Sequence, residues 1–148
     1  EWIEYYDNKK IHSIINYIEN KLTGDYQTFY RNGNAKERGK VIEAKWDGKY
    51  YNYYENGQIR EEKNYLKGVL NGTFKFFYSN GKIKENKKYV NGMLEGECYS
   101  YYSSGQIWIK SLYKNGKIQG VREIYFENGK LEKSELYKGG LNIKKPYN

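Results

Sequence analysis

The chain has 148 residues, 30% of them charged and 18% aromatic, with 19 tyrosines, a mean hydropathy of −1.05 and a formal net charge of +8. That suits one domain, excludes a generous aliphatic core, and carries too many rings for intrinsic disorder. Lone Cys98 and His12, with three aspartates, exclude a disulfide framework within the chain and leave little for metal or triad chemistry.

A repeat organises the whole sequence. Gly24, Gly48, Gly72, Gly96 and Gly120 are spaced 24 apart without insertion. Counting from that glycine as offset zero, offsets five and six hold Phe29-Tyr30, Tyr53-Tyr54, Phe77-Tyr78, Tyr101-Tyr102 and Tyr125-Phe126. Offsets eight and nine read Asn-Gly in most units (Asn32-Gly33, Asn56-Gly57, Asn80-Gly81, Asn128-Gly129), with Ser104-Gly105 as the variant. Offset eleven is Ala35, Ile59, Ile83, Ile107 and Leu131; offset seventeen is Val41, Tyr65, Tyr89, Tyr113 and Tyr137. Of 16 glycines, 14 fall at offsets zero, nine and twenty. Fixed-period self-similarity is the signature of a repeat architecture. The frame predicts one repeat domain over residues 1–148, about six units of 24, with atypical first units and a C-terminal half-unit.

In chain order, the first unit contains Tyr5-Tyr6 and an ambiguous run from Ile11 to Ile18; strands in the 24-residue frame follow from about Tyr26 to Tyr137. Each unit carries two turn sites, Asn-Gly at offsets eight and nine, and Lys67-Gly68, Asn91-Gly92, Asn115-Gly116 and Gly139-Gly140 at nineteen and twenty. Both read as two-residue type I′ turns, which need positive φ at both central residues. They leave strands of nine and eleven residues rich in Tyr, Phe, Ile and Val. The fold predicted is all-β: an extended antiparallel meander of repeated hairpins in a single twisted, coiled sheet. Pro146 is the single proline and sits at the end, where it breaks no ladder.

The turns set the register and so the faces. With two-residue turns, offset six opposes eleven, five opposes twelve, and seventeen opposes twenty-two. Offsets two, four, six, eleven, seventeen and twenty-two then form a core face, exemplified by Tyr50, Tyr54, Ile59, Tyr65 and Trp46. Column glycines at offset zero fall mid-strand on that face and make room for neighbouring rings. The opposite face keeps one aromatic row, Phe29, Tyr53, Phe77, Tyr101 and Tyr125, among polar residues that include Lys36, Arg60 and Lys84.

The unit Tyr-x-Asn-Gly-x-x-x-Gly-x-(aromatic)-x-x-Tyr-Tyr-x-Asn-Gly-Lys-Ile, best seen from Tyr65 to Ile83, resembles the MORN repeat and its bacterial variant. Lys9, Ala35 and Val41 depart from it, as capping units do. The resemblance implies an extended sheet of hairpins and a non-catalytic role in binding proteins or phospholipid surfaces. It inclines localisation toward the envelope or cell surface, and extends to antitoxin components. It also connects to phosphatidylinositol phosphate kinases, where such repeats accompany the kinase domain; no Gly-rich nucleotide loop or His-Arg-Asp or Asp-Phe-Gly element occurs here.

Chemistry-bearing residues read blandly. Glu37, Glu61 and Glu85 repeat every 24 residues, as a surface or groove-edge ladder rather than a catalytic pair. Cys98 fills a ring column as a small buried thiol, and His12 reads as exposed. No catalytic residue, cofactor or metal site is expected. The candidate partner-binding strip is Phe29, Tyr53, Phe77, Tyr101 and Tyr125, with Lys75, Lys84 and Lys88 to steer an acidic partner. Residues 1–74 are net +1 and residues 75–148 net +7, so charge concentrates in the second half. A protein partner is the first expectation and an anionic lipid surface the alternative. Nucleic acid is disfavoured because the period explains the rings as packing; self-association through the sheet face stays open. The chain begins at Glu1, which points to a removed leading segment, and no signal peptide is visible.

Overall fold

The computed structural model describes residues 1–143 and contains strands and turns only. Its strands are β1 (Trp2–Tyr5), β2 (Ile11–Ile18), β3 (Lys21–Phe29), β4 (Ala35–Ile42), β5 (Lys45–Tyr53), β6 (Ile59–Leu66), β7 (Val69–Phe77), β8 (Ile83–Val90), β9 (Met93–Leu94), β10 (Gly96–Tyr101), β11 (Ile107–Lys114), β12 (Lys117–Tyr125), β13 (Leu131–Lys138) and β14 (Leu141–Asn142). Each pairs antiparallel with its sequence neighbours; β9 and β10 both pair β8, as one strand interrupted at Glu95. The result is one open meander of 14 strands, as the repeat predicts. The ambiguous run Ile11–Ile18 is a strand. Pro146 lies outside the described residues.

The two turn sites differ, which corrects the register. At offsets nineteen and twenty the type I′ expectation holds: Lys67 and Gly68 have φ of 51° and 84°, Asn91 and Gly92 of 49° and 79°. Pairing closes directly around them, Leu66 with Val69 and Val90 with Met93. At offsets eight and nine only the glycine is left-handed, as at Gly57 (88°) and Gly81 (83°); in the first unit Lys9 takes that role at 65°. The Asn there is an acceptor instead. Asn56 Oδ1 takes the Gln58 N–H at 3.0 Å, and Asn80 Oδ1 the Lys82 N–H at 3.0 Å. The loop is therefore three residues with a left-handed glycine, closed by Gly81 N–H to the Tyr78 carbonyl and Tyr78 N–H to the Lys82 carbonyl. Strands are eight and nine residues long, not nine and eleven.

This longer loop moves the pairing by one. Offset five, not six, opposes eleven: Phe29 with Ala35, Tyr53 with Ile59, Phe77 with Ile83, Tyr101 with Ile107, Tyr125 with Leu131. Offset four opposes thirteen, so offset twelve is a bulge residue. Directly paired residues share a face. Ile59, Ile83 and Ile107 therefore join the aromatic row, and Arg60 and Lys84 lie with the rings of the other face. Of these, the Lys84 Nζ stands 5.4 Å from the Phe76 ring centre and 5.3 Å from that of Tyr78.

One face is packed. Among the described residues the six that are buried, Ser13, Thr28, Val41, Tyr50, Cys98 and Ser111, lie on it, at offsets two, four, thirteen, fifteen and seventeen. Its N-terminal half is plugged by Trp46, whose ring centre is 5.1 Å from Tyr26 and 4.8 Å from Tyr50. Gly39 makes this possible: a Cβ there would meet the Trp46 ring at 2.8 Å. The column glycines serve the backbone more than the rings. Gly48 has φ of 84° at a break in the β4–β5 register, and nothing lies within 4 Å of where its Cβ would stand. Gly72, at 116°, does need space, but from Asn64, whose Cβ is 3.1 Å from its virtual Cβ.

Both turn edges tie each unit to the next. Tyr30 OH donates to the Tyr53 carbonyl, Tyr54 to Phe77 and Tyr78 to Tyr101, each at 2.7 Å, and Tyr102 to Tyr125 at 2.8 Å. At the other edge the Gly68, Gly92 and Gly116 N–H groups donate to the Trp46, Leu70 and Leu94 carbonyls of the preceding unit. The adjacent aromatic columns thus divide labour: offset five packs, and offset six spans 24 residues with its hydroxyl.

Candidate functional site

The outer face, opposite the packed one, carries the strip expected from sequence. Phe29, Tyr53, Phe77, Tyr101 and Tyr125 are brought together there, all half-buried, each beside its aliphatic cross-strand partner. Lys75 lies two residues before Phe77 on the same strand face, and Lys88 pairs with Thr73 on that face. Lys84 is not brought to it. The bulge at offset twelve turns it onto the packed-face rings, so the strip has two of its three expected lysines.

The repeat frame missed further residues there because they are not periodic. Tyr51 and Tyr99, at offset three, extend the row; their rings are 6.4 Å from Tyr53 and 6.2 Å from Tyr101. Tyr99 OH donates to Glu97 at 2.7 Å, which pushes the phenol up to about 12 and holds the Glu97 carboxyl below its usual range. Along the type I′ margin of the sheet, Leu66, Val69, Val90 and Met93 are 51%, 46%, 39% and 47% exposed. Their sequence signal was apolar residues flanking the turn where other units carry lysine. A shallow hollow of about 470 Å³ also opens on this face, between Arg38, Lys40 and Lys49 on one hand and Tyr51 and Tyr53 on the other.

The packed face is more polar than its rings suggest. The glutamate column is not at the surface or a groove edge: Glu61 pairs with Lys63 at 2.7 Å, at 21% and 19% side-chain exposure, and Glu85 with Lys87 at 2.7 Å. Glu37 accepts from Tyr50 OH at 2.7 Å and Thr28 at 3.3 Å. Lys63 stands 5.6 Å from both the Tyr50 and Phe74 ring centres, and Lys87 5.6 Å from Phe74. Rings and ammonium groups therefore alternate across the sheet, each ammonium also held by a carboxylate. Glu-x-Lys at 61–63 and 85–87 was the legible signal: both registers set offset thirteen opposite offset four, on the face of the rings, but a column of glutamates reads as solvated unless the lysine two residues on is taken with it. Burial, then the Glu37 bond, pushes the Tyr50 phenol far up.

Nothing in this arrangement converges as a nucleophile, base and acid would. Cys98 is 6% exposed, and burial pushes its thiol up, away from reactivity. His12 lies tilted against Tyr6, ring centres 4.6 Å apart, with Nδ1 3.5 Å from Glu4. Among the described residues no cluster of three or more His, Cys, Asp or Glu side chains could hold a metal ion. Among the described residues no helix is long and apolar enough to cross a membrane.

Comparison with curated proteins finds no match. A family model described as MORN repeat variant matches residues 1–19, 46–67, 70–91, 94–115 and 118–138. The last four segments each begin and end beside type I′ turns, so the family's unit is the hairpin around the left-handed glycine loop. Residues 20–45 are left unmatched yet fold into the same strands, with Gly39 where other units have Ile, Lys, Ser or Glu, and Val41 where they have Tyr. With most of its length matched and each matched hairpin built alike, the chain belongs to the MORN repeat variant family.

Proposed function

We propose that the chain is a non-catalytic scaffold whose outer face holds another protein. The observation that supports this reading is the unbroken outer row of half-exposed rings, each backed by a cross-strand aliphatic side chain. Rings fixed in line bring large contact area at small entropic cost, and paired backing keeps them rigid. Lys75 and Lys88 beside the row favour an acidic partner, with association that weakens as salt rises. Tyr101→Ser with Tyr125→Ser, in a protein that keeps its strand circular-dichroism signal, should reduce capture of a protein partner. Undiminished capture would assign the row to packing alone.

A second reading, an anionic lipid surface, draws on the exposed Leu66, Val69, Val90 and Met93, with Lys67, Lys114 and Lys117 at neighbouring turns. Flotation with phosphatidylserine vesicles, set against neutral vesicles, separates the two. Flotation that fails with Val69→Asp plus Met93→Asp supports the lipid surface; absence of flotation leaves the protein reading standing.

A further inference from the structure

We propose that the C-terminal half of the packed face contains a receptor site for one aromatic ring supplied from outside the chain. The cross-strand row there runs Tyr50, Lys63, Phe74, Lys87 and then Cys98 opposite Ser111. Up to Lys87 every second member is a ring and each ammonium lies against one. At Cys98 the ring column stops: Tyr26, Tyr50 and Phe74 give way to a thiol. Two neighbouring columns shrink with it, Phe76 to Ser100 and Lys87 to Ser111. The flanking walls stay, as Leu94 and Ile118 continue their column and Tyr113 continues its own.

The consequence is an open cavity of about 310 Å³ on the packed face, lined among others by Lys87, Cys98, Ser111 and Arg122. An apolar cavity of about 150 Å³ already accepts benzene, so the space admits a ring and its attachment. The repeat itself indicates the occupant. One unit earlier the same place is filled by Phe74, held between Lys63 and Lys87. Lys87 meets Phe74 on one side and the cavity on the other. The charges are already matched: Lys87 is bonded to Glu85 at 2.7 Å, and Arg122 stands 3.5 Å from Glu135. A free anion gains little from cations so paired, whereas a neutral ring face can still share the ammonium without breaking its ion pair. The site is distinct from the outer strip and does not depend on the partner reading.

The test is titration of the whole chain with p-cresol, followed by amide chemical shifts. Shifts confined to the surroundings of Cys98, Ile109, Ser111 and Ile118 are expected, with 4-methylcyclohexanol at least fivefold weaker. Equal binding of the saturated analogue would overturn the proposal, and so would shifts elsewhere or none up to the solubility limit. Cys98→Phe should restore the ring column from within, raise the thermal midpoint and weaken p-cresol binding at least tenfold. Retained binding in that variant would overturn the proposal. If Cys98→Phe does not fold, Lys87→Gln should weaken p-cresol severalfold while leaving 4-methylcyclohexanol unchanged; an equal change for both would overturn it. The source of the ring is read from a third arm. A Phe-containing peptide binding tenfold tighter than p-cresol indicates a polypeptide side chain, and no such gain indicates a free aromatic compound.

Discussion

Tyr50 shows how one side chain serves packing and electrostatics together. It is 8% exposed, contacts Trp46 edge-on, lies beside the Lys63 ammonium and donates to Glu37. Tyr50→Phe removes a hydrogen bond to a charged acceptor and should cost about 1.5–3 kcal/mol in urea unfolding. Tyr50→Ala also opens a cavity and should cost about 3–5 kcal/mol. The sign of the pH dependence follows from the phenols. Tyr26, Tyr50 and Tyr101 are raised above their ordinary value of 10.0, burial being the first cause in each. The unfolded chain loses those protons first, so their contribution is complete below about pH 10 and declines as pH rises beyond it. The urea midpoint should therefore hold between pH 7 and 9 and fall steadily from pH 10 to 12. A midpoint indifferent to that range would contradict the burial of these hydroxyls.

At the scale of the hairpin, the two edges respond to different changes. Gly81 has φ of 83°, so Gly81→Ala should cost about 1 kcal/mol or more, read as a lowered urea midpoint. Tyr78→Phe deletes one rung of the hydroxyl ladder, the bond to the Tyr101 carbonyl, and should cost about 1 kcal/mol without changing the strand spectrum. The glycine columns and aromatic pairs place each strand and turn almost residue for residue. The register around offset eight is not fixed by them, because Asn-Gly suits a type I′ pair as well as a loop in which Asn accepts and only Gly is left-handed. That single ambiguity moved Ile59 and Lys84 to the wrong faces. The half-buried Glu61–Lys63 pair was missed for another reason, since charged columns read as solvated although either register sets them on the packed face. The aromatic row was legible because it depends on strand alternation alone. Its extension by Tyr51 and Tyr99 was not, since two residues in one column make no period.

Across the whole molecule, each hairpin touches only its neighbours, so stability should grade along the sheet. The central strands β5 to β8 combine Trp46, the ion pairs and the alternating rings. β1 is exposed throughout and β14 is two exposed residues. Amide exchange should be slowest in Lys45–Val90 and fastest at both ends. Uniform protection would show a single cooperative unit and contradict the picture of nearest-neighbour stacking.

The tyrosine rungs have a further consequence, for how such a chain can change length. Every rung points the same way, from a hydroxyl to a carbonyl 23 residues later. The series ends at Phe126, which has no hydroxyl to place. A donor that always finds its acceptor one unit downstream gives the stack a grammar. A segment of 24 residues can be duplicated or excised anywhere between equivalent points and every surviving rung still closes, whereas an insertion of any other size strands a hydroxyl on one side of the splice and a carbonyl on the other. Length in this architecture is thus counted in whole words, and a lineage can lengthen or shorten its outer row of rings by copying the text without rewriting it.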